Sequence, residues 1–193
     1  MPRMKPEHRK QELLEIAFRQ FMQQGYEKTS IRSIVGEANG EIGMFYHHFS
    51  SKEAIFSEVL EQYNTRYIED LRQIINKGKA EAFWELIEHI LSHLESSLEE
   101  YRSMNSGSAN REVLTMLHQK TLLSLKPIFS ELLLDYTRRG EISPPNTDMD
   151  LLTDFLLSGI SAVLHNSAEI SKAAKKAALM EFLLNLLGAR HVR

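Results

Sequence analysis

The period of the apolar residues constrains this chain most. They recur every three or four positions, and no segment sustains the apolar/polar alternation that a half-buried strand requires. The spacing predicts an all-α protein. Leu14, Ala17, Phe18 and Phe21 mark the inner face of a first helix from about Glu7, and Gly25 is placed to end it in a left-handed conformation. Ile31, Ile34, Val35 and Ala38 repeat at i, i+3, i+4 and i+7, which predicts a short second helix with Thr29 as its cap. Asn39-Gly40 reads as a turn. A third short helix is predicted from about Ile42 to Phe49, with Phe45 and Phe49 pointing inward and Ile42 close enough to Phe49 around the helix to turn inward as well. Ser50-Ser51-Lys52-Glu53 offers an N-cap and a capping box to a long fourth helix that ends near Asn76-Lys77-Gly78.

The second half predicts longer helices at about 81–101, 111–138, 148–166 and 172–187. A polar run around Gly107, the pair Pro144-Pro145 and a C-capping Gly188 separate or end them, and Pro127 is expected to kink or split the helix that holds it.

Composition narrows the function. With 42% hydrophobic and 25% charged residues the chain matches soluble globular proteins, and with no cysteine it has no disulfide, thiolate nucleophile or cysteine-ligated metal. The N-terminal MPRMKPEHRK is basic but no apolar stretch follows it, so it is not a signal peptide. The oiliest segment, 151–164, is interrupted by Thr153 and Asp154 and is too short to span a bilayer. The expectation is a cytoplasmic protein without a membrane partner. Its net charge is −3, and residues 1–60 balance eight Lys/Arg against eight Asp/Glu, so any basic footprint is concentrated in the tail at Arg3, Lys5, Arg9 and Lys10. No HExxH, P-loop, GxSxG or strand-borne GxGxxG occurs, which argues against an enzyme and supplies no catalytic residue. Gly40-Glu41-Ile42-Gly43 has the form of an RNA-binding GxxG loop but lacks the strands of that module. His89 and His93 stand i, i+4 apart without a third ligand and are expected to be ordinary histidines, so no metal and no cofactor is predicted.

Three short helices within about 50 residues, the second and third joined by an Asn-Gly turn, form a helix-turn-helix pattern, although small packed helices alone would account for the spacing. Gly43-Met44-Phe45-Tyr46-His47-His48-Phe49-Ser50-Ser51-Lys52-Glu53-Ala54-Ile55, preceded by Gly25-Tyr26 and by Thr29-Ser30-Ile31-Arg32-Ser33-Ile34 with Ala38, strongly resembles the signature of the TetR family of bacterial transcriptional regulators. The resemblance covers about residues 8–60 and implies a DNA-binding domain at 1–50, followed at 51–193 by a helical effector-binding and dimerisation domain. It also implies repression relieved by a small molecule. The candidate DNA contacts are Thr29, Ser30, Arg32, Glu41, Gly43, Met44, Tyr46, His47, His48 and Lys52. Lys52 in a first helical turn opposes the helix dipole, a cost that a bound phosphate reverses and that Glu53 could also offset. Thr29 serves equally as a cap. Where the family turn reads Gly-Val-Ser-Lys or similar, this chain has Asn39-Gly40-Glu41-Ile42. Glu41 repels phosphate but can accept a hydrogen bond from a cytosine amino group.

A single helix-turn-helix reads few bases, so a homodimer on a palindromic double-stranded operator is expected. The expected dimer surface is Leu152, Phe155, Leu156, Gly159 and Val163 of one helix with Leu179, Phe182, Leu183 and Leu186 of the last. Trp84, Tyr101, Met104, Met116, His118, Phe129, Tyr136 and His165 are the candidates for contact with a hydrophobic or amphipathic effector. The rival reading is a dimeric helical ligand- or protein-binding module that has lost specific DNA binding, which salt dependence would separate from a DNA reader.

Overall fold

A computed structural model describes residues 6–104, 111–166 and 170–188, and the described residues are helical with no strand. Eight helices follow in order: α1 Pro6–Lys28, α2 Ile31–Glu37, α3 Ile42–His48, α4 Lys52–Lys77, α5 Phe83–Met104, α6 Arg111–Arg138, α7 Met149–Asn166 and α8 Lys172–Leu187, with a single 3₁₀ turn at Gly78–Ala80. Gly25 breaks α1 with φ 80° and ψ 166°, a conformation that a side chain would strain, so the helix proper stops where the glycine was expected to stop it. Gly188 closes α8 with φ 59°, and a Cβ there would lie 2.9 Å from the Ser143 carbonyl oxygen. Proline does not split α6, which runs unbroken through Pro127.

The chain packs as two compact units. One holds the described residues of Met1–Arg66 and Glu99–Leu117, the other those of Tyr67–Leu98 and His118–Arg193. The boundary expected at residue 50 is therefore moved into α4. Ile55, Phe56, Val59 and Leu60 are buried with Leu13, Phe21, Ile34 and Phe45 in the first core, because they fall on one stripe of α4 and complete an apolar surface that the short helices cannot close alone. Phe21 meets Phe56 edge-on at 5.0 Å between ring centres, the arrangement that the aromatic quadrupole favours.

The second core gathers Leu71, Phe83, Leu86, Ile90, Leu132, Tyr136, Leu152, Leu183 and Leu187. Tyr136 is fully buried, and its hydroxyl donates to the carbonyls of Glu81 at 3.0 Å and Gly78 at 3.3 Å, which ties α6 to the chain reversal before α5. Lys126 of α6 pairs with Asp154 of α7 at 2.8 Å, and Lys176 of α8 with Glu88 of α5 at 3.1 Å.

Candidate nucleic-acid interface

The turn between α2 and α3 is built from main-chain bonds. The Asn39 amide donates to the Gly36 carbonyl at 3.1 Å and the Gly40 amide to the Val35 carbonyl at 3.0 Å, while Asn39 takes φ 49°. This is a Schellman closure with asparagine as its left-handed residue, and it satisfies carbonyls that the end of a seven-residue helix leaves open. Ser30, not Thr29, caps α2: its Oγ accepts from the Ser33 amide at 3.0 Å, and Ser33 returns the bond by accepting from the Ser30 amide at 3.1 Å. Thr29 is only 1% exposed, and its hydroxyl donates to the Gly25 carbonyl at 2.9 Å. Thr29 is therefore not a DNA contact, because its side chain faces the core.

Glu41 stands at the N-cap of α3 but makes no capping bond, and the side chain projects into solvent. Met44 and Ile42 both depart from the expected arrangement. Met44 folds back over the turn, so that a Cβ on Gly40 would lie 2.2 Å from its terminal methyl, and it packs against the first core instead of pointing outward. Ile42 does not turn inward. It is 44% exposed, and since α3 ends at His48 and Phe49 has extended backbone angles of φ −134° and ψ 132°, the burial of Phe49 does not bring Ile42 inward with it. The angular relation between Ile42 and Phe49 held only for a continuous helix. Phe45 and Phe49 are buried as expected.

The outward face of α3 thus carries Ile42, Gly43, Tyr46 and His47, with Tyr46 56% exposed and nothing within 4 Å of where a Gly43 Cβ would stand. Packing therefore does not demand glycine at 43, whereas close approach of a backbone to a partner would. His48 is half-buried and meets His47 edge-on at 4.9 Å. Its burial, then the neighbouring His47 and Lys10, hold its imidazole below the usual histidine range, so it sits in the neutral form more readily than a free histidine.

Around this face, Ser30 and Arg32 are exposed at the start of α2, and Arg32 has no acidic partner among the described residues. Lys52 is half-buried with its ammonium 4.0 Å from the centre of the Tyr26 ring, while Ser51 caps α4 by accepting from the Ala54 amide at 3.2 Å. Glu53, expected in a capping box, accepts instead from the Tyr26 hydroxyl at 2.8 Å. The basic tail changes character. Arg9 is bound to Glu12 at 2.7 Å and Lys10 to Glu58 at 2.7 Å, so these two charges are neutralised within the domain; Arg3 and Lys5 lie outside the described residues.

The effector and dimer candidates separate by burial. Leu152, Leu179 and Leu183 are at most 5% exposed in the subunit's own core and are withdrawn from the dimer surface, because a residue that fills its own core has no area left for a partner. Phe155 and Phe182 are 67% and 60% exposed, and Leu151 is 65% exposed; Gly159 is exposed, and Leu156, Val163 and Leu186 are half-buried. Of the effector candidates, Tyr136 is a satisfied core residue and Met116 is 70% exposed to solvent. Phe129 lines an apolar cavity of about 20 Å³, room for little more than one water. His118 lies edge-on to His165 at 4.9 Å and within 3.2 Å of the Ser161 hydroxyl. Trp84 and His93 each bury a ring nitrogen, Nε1 and Nε2, that has no hydrogen-bond partner among the described residues. The side chains of Tyr101 and Met104 lie outside the described residues.

A seven-residue helix with an outward polar and aromatic face, set after a tight main-chain turn on a second short helix, defines a helix-turn-helix DNA-binding protein. Residues 13–59 match the model of the bacterial regulatory proteins of the tetR family. A TetR-family transcriptional regulator from Pectobacterium atrosepticum superposes over 98% of this chain and 100% of its own with a TM-score of 0.76 and 25% identity. The uncharacterized HTH-type transcriptional regulator YfiR of Bacillus subtilis is 25% identical over 92% of this chain and 94% of its own length. The HTH-type transcriptional repressor KstR2 of Rhodococcus jostii is 36% identical over 70 residues, but that match spans 36% of this chain and 34% of the repressor. Residues 13–59 thus match the DNA-binding domain of the TetR family, and the chain, similar to TetR-family regulators over nearly its whole length, is a DNA-binding transcriptional regulator.

Proposed function

We propose that the protein is a homodimeric, ligand-responsive repressor of a palindromic operator. The observation that carries the dimer is the exposed apolar surface of Leu151 and Phe155 on α7 and Phe182 on α8, three large side chains that a monomer would leave in water. A dimer covers them and at the same time presents two copies of α3, which supplies the base contacts that one seven-residue helix lacks. Tyr46 and His47 are the base-reading candidates, and Ser30, Arg32 and Lys52 the phosphate contacts. The name of the KstR2 repressor supports repression over activation.

The effector in this reading is a hydrophobic or amphipathic small molecule, with no metal or other cofactor and no catalysis. The unpartnered ring nitrogens of Trp84 and His93 support an effector that carries hydrogen-bonding groups, since buried polar atoms normally have partners. Binding would favour one dimer geometry over another, a population shift set by the difference in affinity for the two. No described helix is long and apolar enough to cross a membrane, which is consistent with action in the cytoplasm.

The test is selection of sheared genomic DNA by the purified protein at moderate salt, followed by sequencing of the retained fragments. One or a few palindromic sites would support the reading, and the adjacent genes would direct the choice of effectors to try. Retention of nothing above background, with and without candidate effectors, would favour a helical module that has lost specific DNA binding.

A further inference from the structure

We propose that Ile42 determines specificity by reading the 5-methyl group of thymine in the major groove. The inference rests on the DNA-binding reading of α3 and adds a chemical identity to one contact.

The start of α3 leaves few side chains free to reach a base. Gly43 has none, and Met44 lies over Gly40 against the domain core. Phe45 is fully buried. Glu41 and Ile42 remain, and the first residues of a recognition helix are those that contact base edges. Ile42 is 44% exposed and Tyr46, one turn on, is 56% exposed, so the two form a short apolar row along the outward face of a seven-residue helix. A β-branched residue adds little to a helix this short, and here it adds nothing to the core. Isoleucine can neither donate nor accept a hydrogen bond, which excludes phosphate oxygens and the polar edges of guanine, adenine and cytosine as its partners. The one feature of the major groove that a branched hydrocarbon complements is the thymine methyl.

The test uses the full-length protein. Binding sites are selected from a random duplex library with the wild type, Ile42→Val and Ile42→Ser, and thymine is then replaced by deoxyuridine, which differs only by that methyl, at the positions selected. The expected result is a thymine shared by the wild-type and Ile42→Val motifs at the same place in each half-site, with the preference lost at that place alone in Ile42→Ser. Deoxyuridine there should weaken wild-type binding about fourfold per half-site, the value of one buried methyl. Ile42→Ser should bind the two duplexes equally. A wild-type motif indifferent to deoxyuridine at every thymine, or a deoxyuridine penalty unchanged in Ile42→Ser, would overturn the inference while leaving the DNA-binding reading in place. Failure of the wild type to enrich any motif would remove that reading and this inference together. The deoxyuridine comparison on the wild type is independent of how the serine variant folds.

Discussion

Nζ of Lys52 lies 4.0 Å from the centre of the Tyr26 ring, and the hydroxyl of that ring donates to Glu53 at 2.8 Å. One tyrosine therefore positions the cation that opens α4 and the acid beside it. Tyr26→Phe keeps the ring under Lys52 and removes only the bond to Glu53. The Glu53 main-chain amide, then Ser51, then Tyr26, hold the Glu53 carboxyl below the usual carboxylate range. A carboxyl depressed in the folded state stabilises it fully above the unfolded value, about 4.3, and loses that contribution as the pH falls through the folded value. The variant should thus be less stable than the wild type at neutral pH, with the gap in melting temperature narrowing below about pH 4.3. DNA affinity should be retained at neutral pH in Tyr26→Phe and fall in Tyr26→Leu, where the ring is gone. Equal affinities in a titration of the two variants would separate Lys52 from phosphate binding.

Glu41 occupies an N-cap without capping and presents a negative charge beside the outward face of α3. Glu41→Ser should supply the missing cap, worth about 1 kcal/mol of stability. It should also tighten binding to nonspecific DNA, because a repulsive charge is removed. Thermal denaturation reads the first effect and fluorescence anisotropy the second, and unchanged or weaker nonspecific binding would contradict the assignment of Glu41 to the interface.

Arg32 is exposed at the start of α2 and has no ion-pair partner among the described residues. As a phosphate contact it should contribute equally to every sequence, so Arg32→Ala should weaken specific and nonspecific binding alike and lower the slope of log affinity against log salt by about 1 per contact. Loss of affinity for one base sequence alone would assign it to base reading instead.

Phe182 and Leu183 are neighbours with opposite exposure, 60% and 5%. Phe182→Glu should leave the subunit folded and shift it from dimer to monomer in sedimentation velocity. Leu183→Ala should instead cost about 2–5 kcal/mol of stability, since it opens a hole in the core. A Phe182→Glu protein that sediments as the wild type does would move the dimer contact away from α8.

Much of this protein is determined by local chemistry and was legible in the order of its residues. The helical period of the apolar positions set the class and nearly all of the element ends, Gly25 and Gly188 stopped their helices through backbone conformations that other residues strain, and Asn39-Gly40 made the turn. Tyr46 and His47 were legible as outward residues because Phe45 fixes which way α3 faces. Tertiary structure decided the rest. Whether Thr29 or Ser30 caps α2, whether Met44 or Ile42 covers the turn, and which leucines of α7 and α8 fill the subunit core all depend on packing partners far away in sequence. Two residues with the same position in a helical repeat can differ completely in exposure once a neighbouring helix covers one of them, and periodicity carries no record of that neighbour. The Ile42 side chain is the clearest case. Burial of Phe45 sets the facing of α3 and leaves Ile42 outward, while Phe49, past the end of the helix with an extended backbone, reaches the core without carrying Ile42 inward with it.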